Sequence, residues 1–207
     1  MVLVFFYCLG GIAMTKEMTR KSIREQLTSL DEETYNNFSK QIEEQFLKQV
    51  ANTDITTIGI TISSFPEVDT SSIIKQLWAM GKNVVVPKCS PSDRAMVFYQ
   101  IQHFDQLEQV YMHLLEPNPL LTKEVTPNDI DLLVVPGIVY SREGYRIGYG
   151  GGYYDRFLMG YEGNTLSLAF AIQMVKEVES DIYDLPVDQI ITPNEIFLCK
   201  QIREKDE

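Results

Sequence analysis

Metal-binding and disulfide-forming side chains are scarce in this chain. Its 207 residues include three cysteines, Cys8, Cys89 and Cys199, widely spaced and without a CxxC pair. An odd, scattered set argues against a disulfide framework and fits a reduced, cytoplasmic setting. Histidine occurs only at His103 and His113, with no HExxH and no Cys/His cluster, which argues against a zinc centre. No GxSxG elbow is present, so a Ser-His-Asp hydrolase has no starting point. Positive charge is also in deficit. The 18 Lys and Arg stand against 29 Asp and Glu, a net charge of −11, and that balance argues against broad nucleic-acid binding. No apolar run reaches the roughly 20 residues of a membrane helix.

What is present fits a globular protein. Hydrophobic residues make up 44% and charged residues 23%, close to globular averages. At roughly 150 residues per domain the length allows one large domain or a core with an appendage. Met1 to Ala13, MVLVFFYCLGGIA, carries no charged side chain and lacks the basic start of a secretory signal. Three readings fit this run: an extension upstream of a functional start at Met14, a targeting or membrane-associating segment, or a buried strand. The first is preferred, because TKEMTRKSIR after Met14 opens as a charged helix. The expected organisation is a 1–13 extension and a single domain over 14–207.

Helix and strand patterns alternate along the rest. Ser29 and Glu32 have the spacing of a capping box opening a helix through about Ala51. Thr70 and Ser71 are placed to cap a helix over Ile73, Ile74, Leu77 and Trp78, closed by Gly81. Apolar runs predict strands at Thr56–Ile62, Val84–Pro87, Met96–Ile101, Ile130–Gly137, Thr165–Ala171 and Glu195–Cys199, with a helix starting at Tyr153. The run through Ile130–Gly137 is apolar enough for burial on both faces. This alternation predicts an α/β fold with a largely parallel central sheet flanked by helices in three layers.

The segment Gly144-Tyr145-Arg146-Ile147-Gly148-Tyr149-Gly150-Gly151-Gly152-Tyr153-Tyr154-Asp155-Arg156 carries the chemistry. Its glycines permit unusual backbone angles and close approach to a ligand. Consecutive amides ahead of a helix form an anion-binding concavity. Arg146 adds a charge-assisted donor, Tyr153 and Tyr154 add ring faces, and Asp155 is a hard oxygen ligand suited to Mg²⁺. Neither nucleotide fingerprint fits, because Gly81-Lys82 continues with Asn83 and Gly148-x-Gly150 meets Tyr153 where GxGxxG needs glycine. A plain strand-to-helix turn is the structural alternative. Lys16, Arg20 and Arg24 follow at i, i+4 and i+8 on one predicted helix face, which either meets solvent or presents several charges to one anion.

With Val134-Val135-Pro136-Gly137 before it, this segment resembles the signature of the 5-formyltetrahydrofolate cyclo-ligase (5,10-methenyltetrahydrofolate synthetase) family. The resemblance extends from about Lys16 to Thr192. It implies an ATP-contacting pair at Lys16 and Arg20, and a folate-contacting Glu67 in Pro66-Glu67-Val68-Asp69-Thr70. It also implies a closing motif, Asp184-Leu185-Pro186-Val187-Asp188-Gln189-Ile190-Ile191-Thr192, whose first Asp is associated with Mg²⁺. Val86-Pro87-Lys88, Leu115-Glu116-Pro117 and Asp131-Leu132 fall in the family's order. Tyr183 stands before Asp184 where many members have His.

The resemblance implies an architecture similar to sugar-phosphate isomerases and CoA-transferases. It implies ATP- and Mg²⁺-dependent conversion of 5-formyltetrahydrofolate to 5,10-methenyltetrahydrofolate, with ADP and phosphate released. The roles that follow are Arg146 and Lys16 in catalysis and Lys16, Arg20, Arg146, Ile147, Gly148, Tyr149, Gly150, Gly151, Gly152, Tyr153 and Tyr154 at the nucleotide. Ile62, Glu67, Tyr149 and Tyr153 fall at the folate, and Asp155 and Asp184 at the metal. Small molecules are the expected partners, with no nucleic acid and no membrane, on a monomer or weak dimer. An isomerase or transferase acting without ATP, and a nucleotide-binding regulator without turnover, are the other classes. On this reading a chain beginning at Met14 keeps full activity and the same cellular location; loss of either in a side-by-side assay overturns the 1–13 extension.

Overall fold

The structure, a computed structural model, describes residues 15–111 and 114–206. The apolar start at 1–13, Cys8 and His113 lie outside them. Two helices open the described chain. Helix α1 (Lys16–Thr28) begins at Thr15, whose hydroxyl accepts from the Met18 amide at 3.3 Å. Helix α2 (Glu32–Ala51) begins at Asp31, whose two carboxylate oxygens take the Thr34 amide and hydroxyl, each at 2.8 Å. The capping box expected at Ser29 is therefore not formed. Ser29 ends α1 instead, and its hydroxyl donates to the Gln26 carbonyl at 2.7 Å. Helix α3 (Ser71–Ala79) stops before Gly81, which takes a φ of +74°.

Strands β1 (Thr57–Gly59), β2 (Asn83–Cys89), β3 (Met96–Ile101), β6 (Lys123–Val125), β7 (Leu132–Val134), β10 (Asn164–Leu168), β11 (Gln189–Ile191) and β12 (Ile196–Phe197) form one sheet in the order β12-β11-β10-β7-β1-β2-β3-β6. The inner strands, β2 through β11, pair in parallel. At the edges β3, β6 and β12 pair antiparallel, so the sheet is mixed where a largely parallel one was expected. Chain length between strands explains two of these edges. A tight return at Ser90–Ala95 joins β2 to β3, and another at Thr192–Glu195 joins β11 to β12; a parallel pairing needs a long crossover. A hairpin of β4 (Leu107–Gln109) and β5 (Leu115–Pro117) stands apart, as does a ribbon of β8 (Val139–Tyr140) and β9 (Arg146–Ile147).

The alternation of side chains divides the core into two layers. Ile58, Ile60, Val84, Val86, Leu132, Val134, Leu166 and Leu168 face Ile23 and Leu27 of α1, Ile42, Phe46 and Val50 of α2, and Ile73, Ile74 and Leu77 of α3. Val85, Leu133, Val135, Ala169 and Ile190 face the other way, toward Leu158 of α4 (Tyr153–Leu158) and Cys199 of α5 (Cys199–Asp206). This is the three-layer α/β arrangement expected. Cys89 and Cys199 are free thiols, and burial pushes them up to about 11 and about 12 respectively. Among the described residues no helix is long and apolar enough to cross a membrane.

The inner strands run in the chain-order pattern 2-1-3-4-5 (β2-β1-β7-β10-β11), so the crossover after β1 runs one way along the sheet and the one after β7 runs the other. In such sheets the crevice outside the carboxyl ends at this reversal is where ligands bind. The opposite ends of the strands are fastened by carboxylates. Asp131, just before β7, accepts the Thr56 amide and hydroxyl and the Thr57 amide at 2.8–2.9 Å. Asp188, just before β11, accepts the Thr165 amide and hydroxyl at 2.9 and 2.8 Å.

Burial alone would raise the Asp131 carboxyl, but the Thr57 and Thr56 bonds and the nearby Lys82 charge hold it below the usual carboxylate range. A depressed folded-state value means that this stabilisation is present above the unfolded value of about 4 and is lost as pH falls through the folded one. Replacing Asp131 by Ala should lower unfolding stability by about 1–2 kcal/mol at neutral pH. Denaturant titrations should show the gap between the two proteins narrowing steadily below about pH 4. A gap that does not change with pH would contradict the account.

Candidate active site

Three segments meet α1 at the carboxyl rim: the loop after β1, the stretch from Gly137 to Gly152, and the loop preceding β11. Arg146 ties two of them together. It sits on β9, and its side chain is only 4% exposed. One guanidinium nitrogen donates to the Leu185 carbonyl at 2.6 Å, and another meets the Asp155 carboxylate at 2.7 Å. A cation this far from water is tolerated only when paired and hydrogen-bonded. Arg146 therefore fixes α4, which carries Asp155, against the segment carrying Leu185.

The basic stripe of α1 faces these loops. Lys16 meets Asp184 at 2.8 Å and Asp181 at 3.8 Å. The hydrogen bond that Lys16 donates to Asp184 raises its ammonium above its usual range, against the opposing effect of burial. Burial tends to lift Asp184, yet the Lys16 bond, the Asp181 amide and the charges of Lys16 and Arg146 together depress it. One turn along α1, Arg20 donates to the Gly148 carbonyl at 2.9 Å. Helical periodicity separates this stripe from Ile23 and Leu27, which enter the core, and from the exposed Lys21–Glu25 pair. Arg20 and Arg24 also border an open groove along the helix.

The glycine loop ends in backbone that favours glycine: φ is +95° at Gly150 and +67° at Gly152, the residue capping α4. The Tyr153 ring lies against Gly151, where a Cβ would stand 2.7 Å from the ring edge. Among the described residues, the amides of Gly150, Gly151 and Gly152 donate to no protein acceptor. They are three donors beside the Arg20 guanidinium.

Across the crevice, Glu67 is held by its own loop and by the glycine loop. Its carboxylate accepts the Ser64 amide at 3.0 Å and the Tyr149 hydroxyl, and its carbonyl accepts the Tyr35 hydroxyl at 2.7 Å. Behind it lies a cavity bordered by Thr61, Ser63, Glu67, Gly137, Tyr140 and Gln173, between the ends of β1 and β7. The Gln173 amide donates to the Gly137 and Ile138 carbonyls at 3.2 Å each and sets that turn.

The structure gathers most of the expected site residues. Lys16, Arg20, Arg146, Gly148, Tyr149, Gly150, Gly151, Gly152, Tyr153, Asp155, Asp184 and Glu67 all lie on this rim. Three side chains point elsewhere. Ile62 shares the strand face of Ile58 and Ile60 and packs on the α1–α3 side, leaving Thr61 and Ser63 at the cavity. Ile147 is buried in that same core, so only its backbone serves the loop. Tyr154 packs into the opposite core, and its hydroxyl is buried without a partner. Asp155 and Asp184 form no cluster of three metal-ligating side chains among the described residues. Tyr140, Thr61, Ser63 and Gln173 were not expected. The one trace of Gln173 in the sequence is a polar residue closing an apolar run.

Comparison with known proteins agrees with this geometry. Residues 12–193 match the model of the 5-formyltetrahydrofolate cyclo-ligase family. The chain is 30% identical over 146 residues to the 5-formyltetrahydrofolate cyclo-ligase of Escherichia coli K12, covering 68% of this chain and 80% of the relative. It is 26% identical to the mitochondrial 5-formyltetrahydrofolate cyclo-ligase of Arabidopsis thaliana, covering 90% of this chain and 76% of that one. The solved 5,10-methenyltetrahydrofolate synthetase of Aquifex aeolicus has the same fold, with a TM-score of 0.77 at 24% identity, over 89% of this chain and 93% of that one. That of Mycoplasma pneumoniae superposes with a TM-score of 0.72 at 23% identity, over 87% and 100%. By sequence and by the loop that its fold presents, the chain belongs to the 5-formyltetrahydrofolate cyclo-ligase family.

Proposed function

We propose that this protein converts 5-formyltetrahydrofolate to 5,10-methenyltetrahydrofolate, using ATP with Mg²⁺ and releasing ADP and phosphate. The γ-phosphoryl group passes to the formyl oxygen, which is otherwise a poor leaving group. The neighbouring amine then attacks the formyl carbon and closes the ring, and the oxygen departs with the phosphate. The observation that carries this reading is the meeting of three cations, Lys16, Arg20 and Arg146, with the amides of Gly150–Gly152, unpaired among the described residues, beside the cavity that Glu67 borders.

Phosphoryl transfer asks mainly for positioning and for stabilisation of charge. The loop amides, Arg20 and Lys16 hold the phosphates. Arg146 stands where α4 and the Leu185 segment converge, and its guanidinium stabilises charge on the transferred group. Glu67 and the cavity hold the folate ring and keep water from the activated carbon. Asp155 and Asp184 fit Mg²⁺ by the chemistry of their oxygens, which Mg²⁺ takes in ones and twos alongside phosphate and water. When bound, the ion offsets phosphate charge.

The internal ion pairs favour a nucleotide that arrives with its cation. A bare anion drawn to Arg146 or Lys16 breaks a pair and leaves Asp155 or Asp184 uncompensated. A nucleotide carrying a divalent cation supplies a partner of each sign.

Mixing the protein with 5-formyltetrahydrofolate, ATP and Mg²⁺ should raise the near-UV absorbance of the methenyl product, with no rise when ATP is omitted. Folded protein that gives no rise sinks the function, and a product formed without ATP points to an isomerase- or transferase-type reaction. Replacing Arg146 by Ala should remove about 2–4 kcal/mol of transition-state stabilisation. Arg146→Lys, which keeps the charge but not the two-sided geometry, should also be slow. Melting temperatures measured alongside separate lost chemistry from lost folding. A near-wild-type rate in folded Arg146→Ala rejects its role.

A further inference from the structure

Two large apolar side chains stand in water at the edge of the site. On the loop preceding β11, Ile182 is 86% exposed and Tyr183 is 66% exposed. Neither joins the core on either side of the sheet. The backbone that carries them is nonetheless fastened. The Asp181 carboxylate accepts the Tyr183 amide at 2.9 Å, and the Asp184 carboxylate accepts the Asp181 amide at 3.0 Å. The Asp184 amide donates in turn to the Asp181 carbonyl at 3.1 Å. Lys16 ties Asp184 to α1 at 2.8 Å. A single exposed tyrosine is ordinary on a protein surface. This one stands beside a second exposed apolar residue, on a fixed loop, next in sequence to a carboxylate of the site.

Helix α1 gives the order of groups along the crevice. Lys16 meets Asp184, Arg20 one turn on meets Gly148, and the next residue of the glycine loop, Tyr149, meets Glu67. Glu67 marks the folate end in the function given above, so the phosphoryl group that is transferred lies toward it. The rest of the nucleotide then runs back past Lys16. Charge decides which part of it is met there. Asp181 lies 3.8 Å from Lys16, and the charge of Glu179 reaches the same ammonium. These carboxylates repel further phosphate and tolerate a neutral group. The neutral part of a nucleotide that seeks an aromatic face is its base, since every base has a flat π surface to lay on one.

We propose that the Tyr183 ring is the stacking platform for the purine base of ATP, with Ile182 as its apolar border. The proposal rests on the function given above and extends it from the phosphates to the base. It adds a nucleotide contact that lies outside the glycine signature, on the far side of Lys16 from the folate. Tyr183 therefore acts on the nucleotide and leaves the folate alone.

Tyr183→Ala removes the ring at an exposed position, and the variant should melt at the wild-type temperature. Binding of ATP with Mg²⁺, measured by calorimetry without folate, should weaken roughly 5- to 50-fold. Inorganic tripolyphosphate with Mg²⁺ keeps the charges and lacks the base, and it should bind the two proteins equally. Tyr183→Phe keeps the ring and should bind ATP as the wild type does. The KM for ATP should rise in Tyr183→Ala, with the KM for 5-formyltetrahydrofolate unchanged. Equal ATP affinity in the wild type and Tyr183→Ala overturns the proposal. An equal loss for tripolyphosphate also overturns it, because the loop and not the base is then responsible, as does a rise in the folate KM alone. A wild-type protein that binds ATP more tightly than Tyr183→Ala but forms no methenyl product refutes the function and leaves the base contact standing. A wild-type protein that neither binds ATP nor converts the folate refutes both.

Discussion

A guanidinium cannot be left alone in a protein interior, and the site takes its shape from how Arg146 meets that requirement. Two partners on different segments, the Asp155 carboxylate and the Leu185 carbonyl, satisfy it. The first pins the start of α4, and with it the glycine loop. The second pins the approach to β11, and with it the loop carrying Asp184. One buried charge thus sets the distance between the glycine-loop backbone and the carboxylates opposite. It also explains how a protein of net charge −11 gathers cations at this rim. The acidic excess describes the surface at large, while the basic groups are gathered at one rim and held there by their own counter-charges.

Helix α1 completes the rim from outside the sheet. Its core face buries Ile23 and Leu27, and its stripe of Lys16 and Arg20 falls on the loops. The helix is therefore both packing element and ligand wall, and the period of 3.6 residues lets a single turn serve each role. Because the two roles share one rigid body, a change in the packing of Ile23 or Leu27 reaches the glycine loop through the same cylinder.

Much of this was legible before the structure. The apolar runs at Val84 and Ile130 became central strands, and the glycines did lead into a helix at Tyr153. The stripe at Lys16 and Arg20 did turn toward the loops. What escaped was set by competition or by contact. Ser29 matched a capping pattern, but its hydroxyl is engaged at the end of α1 and Asp31 caps α2 instead. Ile62 and Thr61 are adjacent, and only the register of β1 decides which of them faces the cavity. Ile147 and Tyr154 stand inside the signature yet point into the core, because a motif marks where the backbone goes and not where each side chain is buried. The β8–β9 ribbon and β11 were too short to give a period, and the antiparallel edges follow from turn lengths that no hydrophobic pattern records.

The carboxylate clasps of Asp131 and Asp188 lie at the end of the sheet remote from the ligand. Each fastens neighbouring strands through backbone amides, so the foot of the sheet is cross-linked by charge-assisted bonds. The rim holds itself instead through side chains that a ligand can exchange. Stiffness therefore falls along the strands from foot to rim, and the loops rearrange around a base that does not yield. Gentle heating loosens the rim first, so that catalysis fades while the sheet beneath it is still intact.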